Sequence, residues 1–194
     1  MSKLFYYDLE TTGVKYWKNG IHQISGAIEI DGNIIETFDF HVKPYKDAII
    51  EDEALAVAGI LRSDLEEYTP MSEIYKTITS MLGKYVKKFD KTDKFHLIGY
   101  NNRSFDDQFY RAFFTQSGDM YFGSWFWADS IDVLVLASHC LQHERAKLEN
   151  FQLRTVARYL GIEVDESKLH DALYDIELTR KIYHILIHKY LRNV

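Results

Sequence analysis

LFYYDLETTG, residues 4–13, opens as an apolar, aromatic run and then carries two carboxylates two positions apart, Asp8 and Glu10. In a strand the side chains alternate, so residues i and i+2 share a face. Asp8 and Glu10 therefore point the same way, about 7 Å apart, with Leu9 on the opposite face. Like charges held that close beside a core raise each other's pKa and cost stability. A hard divalent cation between the two acids would relieve the repulsion, since such ions prefer carboxylate oxygens. Alternatively the strand ends in solvent and two hydrated acids precede a Thr-Thr-Gly turn. This stretch alone leaves both readings open.

The remaining composition narrows the class. A chain of 194 residues, 46% of them hydrophobic, suits one domain over 1–194 with a substantial core. Only two prolines, Pro44 and Pro70, and no low-complexity tract argue against long disorder. The formal net charge of -6 does not supply the basic face that broad nonspecific nucleic-acid binding requires, though bound metal and a small local site could still serve nucleic acid. Cys140 is the only cysteine, so no intramolecular disulfide forms, which fits a reducing cytoplasm. Lys3 and Asp8 break any signal-peptide layout at the start. No apolar run approaches the roughly 20 residues of a membrane span. The expected setting is soluble and cytoplasmic.

The order of elements predicts an α/β domain. Residues 4 to 43 read as three consecutive antiparallel strands, with Asp31-Gly32 as the hairpin turn between the second and third. Thr69-Pro70 reads as an N-cap and first helical residue. Ile74, Ile78, Met81, Leu82, Tyr85 and Phe89 then recur at helical spacing, and lysines cluster at the end of that run. FHLIGY, residues 95–100, is a short buried strand. DDQFYRAFFTQ, IDVLVLASHCL and FQLRTVARYLGI read as helices, the last closed by Gly161. The final helix begins after Asp171, its N-cap, and runs almost to the end. Strands then helices around one mixed sheet follow.

Three further residues stand out. Asp106 lies just past FHLIGY at the start of a helix, His170 just before the last helix, and Asp175 one turn into it. Singly, each has a plain reading: a helix cap, a loop residue, a partner for Arg180. Jointly, Asp8-x-Glu10-Thr11-Thr12-Gly13, Asn102-x-x-Phe105-Asp106 and His170-x-Ala172-x-x-Asp175 resemble the motifs of the DEDDh exonucleases. These are DnaQ-like 3′–5′ exonucleases with an RNase H-like fold, a mixed β-sheet flanked by helices. The likeness runs from about residue 3 to about residue 185, with the motifs in family order. A sister group places tyrosine four residues before the last aspartate, where this chain has Asp171, so the histidine subtype is the one that matches.

The resemblance implies a metal-dependent 3′–5′ exonuclease that hydrolyses single-stranded DNA or RNA 3′ ends to nucleoside 5′-monophosphates, DNA slightly ahead of RNA. It implies two divalent ions per site, Mg²⁺ or Mn²⁺, held by Asp8, Glu10, Asp106 and Asp175. Asp8 would bridge both ions, Glu10 and Asp175 would serve the nucleophile side, and Asp106 the other. His170 would be the general base, a role suited to a pKa near 6.5. Leu9, Thr11, Thr12, Asn102 and Phe105 would line the terminal nucleotide. The family often carries His or Asn where Val57-Ala58-Gly59-Ile60 has Ala58, and that departure bears on substrate preference, with Val57 at the terminal bases.

Outside the motifs, KYWKNG, residues 15–20, places Tyr16 and Trp17 between two lysines. Aromatics with cations stack bases, and a Trp packed on the core is the competing reading. His139 with His143, and His184 with His188, have a spacing that can bind zinc but no third ligand nearby in sequence, and read as helix-surface histidines. The alternative function is a proofreading-type accessory subunit that mainly binds a polymerase or other partner. No tail follows the last helix before Val194, which weighs against it. A homodimer contact is the other expected partner, and no membrane is expected.

Overall fold

The computed structural model describes residues 2–168 and 171–191. Three strands come first: β1 (Lys3–Thr11), β2 (Ile21–Ile30) and β3 (Asn33–Lys43). They pair antiparallel in sequence order. Asp31 and Gly32 both hold positive φ, +49° and +87°, the primed turn that matches strand twist. The turn is the one the Asp-Gly pair predicts.

Next come α1 (Asp52–Ala58), α2 (Asp64–Glu67), β4 (Thr69–Pro70), α3 (Met71–Leu82) and β5 (His96–Gly99). After them come α4 (Asp106–Gln116), β6 (Ile131–Asp132), α5 (Val133–Cys140), α6 (Leu153–Tyr159) and α7 (Ala172–Leu186). Among the described residues the sheet has six strands in the order β4-β3-β2-β1-β5-β6, with β5 parallel to β1. This is the expected mixed sheet with helices on both faces.

β1 is buried on both sides because it is central. Phe5, Tyr7 and Leu9 face α3 and α4, packing with Ile74, Ile78, Phe109 and Phe113. Leu4 and Tyr6 face α5, α6 and α7, packing with Val133, Val156 and Ile182. The continuous run LFYY is therefore what a strand covered on both faces requires. Gly26 on β2 admits close approach: a Cβ there would lie 2.2 Å from the Phe38 ring.

Several elements differ from the sequence reading; the helix expected over IDVLVLASHCL begins only at Val133, because Ile131 and Asp132 pair with β5 as β6. Thr69-Pro70 does not open the helix; it pairs in parallel with Val42 and Lys43, and α3 starts at Met71. α3 stops at Leu82, before Tyr85 and Phe89, because Gly83 follows and the chain must turn to enter β5. Tyr85 still packs against the core beyond the helix, whereas Phe89 is exposed. Short α1 and α2 are absent from the sequence reading, as neither is long enough to show a clear period. No described helix is long and apolar enough to cross a membrane.

His22 on β2 is almost wholly buried, and neither ring nitrogen has a hydrogen-bond partner within the described protein. Burial, aided by nearby His41, lowers its pKa from 6.5 to about 4. The unfolded chain thus binds the proton first, and stability falls as pH drops from about 6.5 to about 4. His22→Leu removes that loss. Urea unfolding of both proteins between pH 7 and pH 4 is expected to shift their stability difference by on the order of 3 kcal/mol in favour of the variant.

Candidate active site

The carboxylates meet where β1 emerges from its two cores. Asp8 lies opposite Ser25 and Glu10 opposite Gln23 on β2, both on the face that α7 covers. The register slips between Glu10 and Thr11, a bulge that turns the strand end. α7 brings Asp175 to the same side. Asp8 and Asp175 line one cleft of about 200 Å³ with Tyr100, Leu153 and Thr179. Asp171 caps α7 by accepting the Tyr174 amide at 3.0 Å, as its sequence position predicts. Arg180 pairs with the buried Glu29 at 2.5 Å, as does His184 at 2.9 Å. His170 lies outside the described residues.

The electrostatics join the four acids. Burial pushes Asp8 well above the usual carboxylate range, and the charges of Asp106, Glu10 and Asp175 push it further. Asp106, the first residue of α4, is raised to about 7. Burial is the main cause, with Asp107 and Glu10 adding to it; backbone N–H groups, its own and that of Leu9, oppose the rise. Among the described residues no three such side chains already stand at ion-binding spacing. The chemistry of the set nevertheless fits hard divalent cations: oxygen donors only, mutually repelling, with a proton now needed to neutralise what an ion would neutralise.

A second network lies behind these acids and is absent from the sequence reading. The buried carboxylate of Asp107 accepts from Tyr7 Oη, from Asn102 Nδ2 at 3.1 Å and from Ser130 Oγ at 2.5 Å. Tyr7 precedes Asp8, and Asp107 follows Asp106. One hydrogen bond thus ties the backs of the two elements that carry Asp8 and Asp106. Asp132 holds the intervening turn, accepting from the amides of Asn101 at 3.0 Å and Leu134 at 2.9 Å. The signal was present as a second acid beside Asp106 and a tyrosine among the apolar residues of β1.

The expected substrate residues divide by exposure. Leu9, Thr12 and Asn102 turn their side chains inward. Leu9 is in the α3–α4 core. The Thr12 hydroxyl donates to the Ile49 carbonyl and accepts from the Gly20 amide, both at 2.9 Å. Asn102 serves Asp107. Their side chains build the site rather than line it. Thr11 is half-buried, donating to the Gly13 carbonyl at 2.8 Å. Phe105 packs on Phe109 at 4.9 Å. Val57 on α1 is 87% exposed. Trp17 is 66% exposed and meets Tyr16 edge to face at 5.2 Å, so it does not pack on the core. Its loop is fixed from below by Asn19, which donates to the Ile49 carbonyl at 2.8 Å and to Glu51 at 3.2 Å.

Known proteins agree with this geometry. The RNase T exonuclease family model matches residues 5–183. Ribonuclease T of Shewanella denitrificans is 27% identical over 94% of this chain and 79% of its own length. The DNA polymerase III PolC-type of Mycoplasmopsis pulmonis is 27% identical over 91% of this chain, but over only 11% of its own. The zinc-bound form of the E. coli ExoI–ssDNA complex superimposes with a TM-score of 0.78 at 23% identity, over 99% of this chain. The chain spans 42% of the length of that solved chain, and the likeness bears on fold, which is RNase H-like. The family match and the relatives place the chain among 3′–5′ exonucleases of the DEDDh type. Within it, the chain belongs to the RNase T exonuclease family. That family is divalent-metal dependent.

The raised pKa of Asp106 has a sign that can be checked without activity. The native state keeps a proton that the unfolded chain releases near pH 4, so the metal-free protein loses stability as pH rises from about 4 to about 7. In EDTA at pH 8, Asp106→Asn is expected to be more stable than wild type by up to about 4 kcal/mol in urea unfolding, with the gain fading toward pH 4.

Proposed function

We propose that this domain, taken as residues 1–194, removes nucleotides one at a time from the 3′ end of single-stranded nucleic acid and releases nucleoside 5′-monophosphates. The observation that carries this reading is the buried Asp8, ringed by the charges of Asp106, Glu10 and Asp175. Two divalent ions held by Asp8, Glu10, Asp106 and Asp175, Mg²⁺ or Mn²⁺ for an all-oxygen set, would supply the positive charge that the scissile phosphate needs. Asp8 would lie between the two ion positions, with Glu10 and Asp175 on the side of the attacking water. His170 takes the water's proton as the oxygen attacks phosphorus. The bond to the 3′ oxygen breaks, and that oxygen leaves with a proton from solvent.

The chain's other residues place the substrate. The backbones of Leu9, Thr11 and Thr12 run beside the terminal nucleotide, Asn102 and Phe105 shape its pocket, and Val57 stands at the terminal bases. Trp17, held out from a braced loop, offers a flat face for stacking. A cytoplasmic setting suits the reduced Cys140.

The polymerase match favours one further reading, in which the domain works as the editing module of a polymerase or as its bound partner. Cleavage of free oligonucleotides separates the two. With 5′-labelled single-stranded DNA and RNA of equal sequence, Mg²⁺ or Mn²⁺ is expected to give a ladder shortening from the 3′ end, and EDTA none. Asp8→Ala should lower the rate by about 10²-fold or more. A chain inactive on both strands with either metal would overturn autonomous action. Trp17→Ala should raise KM about tenfold at unchanged kcat, the scale of one lost stacking contact.

A further inference from the structure

The end of the sheet away from the carboxylates carries an unusual surface. Lys3, at the start of β1, donates to the Tyr85 carbonyl at 2.5 Å and pairs with Asp93, and Leu4 stands beside His96 of β5. Residues 85–95 therefore lie about 13 Å or more from Asp8, measured along the strand. There Phe89 is 68% exposed, Met120 75% and Tyr121 61%. The rings of Phe89 and Tyr121 meet edge to face with centroids 6.0 Å apart. Phe89 holds φ at +76°, in the left-handed region where a bulky side chain is a genuine outlier. The chain thus adopts a strained backbone at a residue whose large ring stays in water.

The ledge is braced. Asp119, buried, accepts from Tyr75 Oη and from the Tyr121 amide, both at 2.6 Å, and lies 3.4 Å from Lys88 Nζ. Lys88 in turn sits over the rings of Phe89 at 5.4 Å and Trp125 at 4.9 Å. Around the rings the charge is basic. Residues 84–94 hold five lysines against two aspartates in a chain whose net charge is -6. Lys87 and Lys91 are exposed at the rim. Contiguous exposed apolar surface with a charged rim marks an interaction site.

We propose that this ledge docks an acidic segment of a partner protein, with one aliphatic or aromatic side chain of that segment seated against Phe89, Met120 and Tyr121. Opposite charge brings the segment in, and the apolar contact fixes its register. The shape favours a peptide over a nucleic-acid strand. Met120, 75% exposed, presents an aliphatic surface on which a peptide side chain can pack. The position leaves the catalytic cleft open while the partner is bound, and the surface does not depend on the catalytic reading.

The test uses the full chain and three labelled ten-residue peptides in fluorescence anisotropy. One carries acids plus Leu-Phe, one the same acids plus Ala-Ala, and one neutral Ser/Gln plus Leu-Phe. A dT12 strand in EDTA is the fourth probe. The acidic Leu-Phe peptide is expected to bind with Kd of about 10–100 µM, weakening with salt, and the other two peptides at least tenfold more weakly. Phe89→Ala, and Lys87→Glu with Lys91→Glu, should each weaken it about tenfold while leaving melting temperature and cleavage of a short oligonucleotide unchanged. Binding that ignores these substitutions, or no binding up to about 1 mM, overturns the proposal. Loss of dT12 binding in the same variants, with the peptide unaffected, assigns the ledge to nucleic acid and overturns it equally.

Discussion

Everything at the carboxylate end of this molecule turns on one unfavourable interaction: Asp8 is buried among like charges. A carboxylate there is disfavoured by the loss of water and by three neighbours of the same sign. Such an arrangement persists only if the surrounding structure holds it rigidly. β1 is clamped between two cores, and α4 and α7 each begin at the site, so each acid stands at the start of a helix or the end of a strand. That repulsion is what a bound divalent cation would relieve, and the family is divalent-metal dependent.

The support for that site is divided between two faces of the same strand. Asp8 and Glu10 face α7. Tyr7 and Leu9 face the other way, and there Tyr7 reaches Asp107. The alternation of side chains along one strand thus separates chemistry from its bracing. Thr12 and Asn19 do the same for the aromatic loop, since their polar groups are spent on the Ile49 carbonyl and Glu51 while Trp17 stays outside.

The two ends of the sheet differ in character for related reasons. The carboxylate end collects acids at helix starts, where strand and helix termini converge. The far end collects the lysines that follow α3 and the loop after α4, where Phe89, Met120 and Tyr121 remain exposed. A cleft at one end and a braced apolar ledge at the other can be occupied together.

The sequence by itself determined the three-stranded start and the Asp-Gly hairpin, and its motifs singled out the four acids. Each depends on local rules: alternation within a strand, turn chemistry, and motifs whose residues sit close together. It also determined that Asp171 caps α7, because a cap acts within three residues. Only the tertiary structure decided that Leu9, Thr12 and Asn102 turn their side chains inward, that Trp17 is exposed, and that Tyr7, Asn102, Asp107 and Ser130 form one network. Those facts depend on what packs against each residue from distant parts of the chain. The end of α3 belongs with them: helical spacing continued through Tyr85 and Phe89, yet Gly83 and the path into β5 ended the helix at Leu82. A period in the sequence can run past the element that produced it, and only the folded chain shows that Tyr85 packs on the core while Phe89 does not.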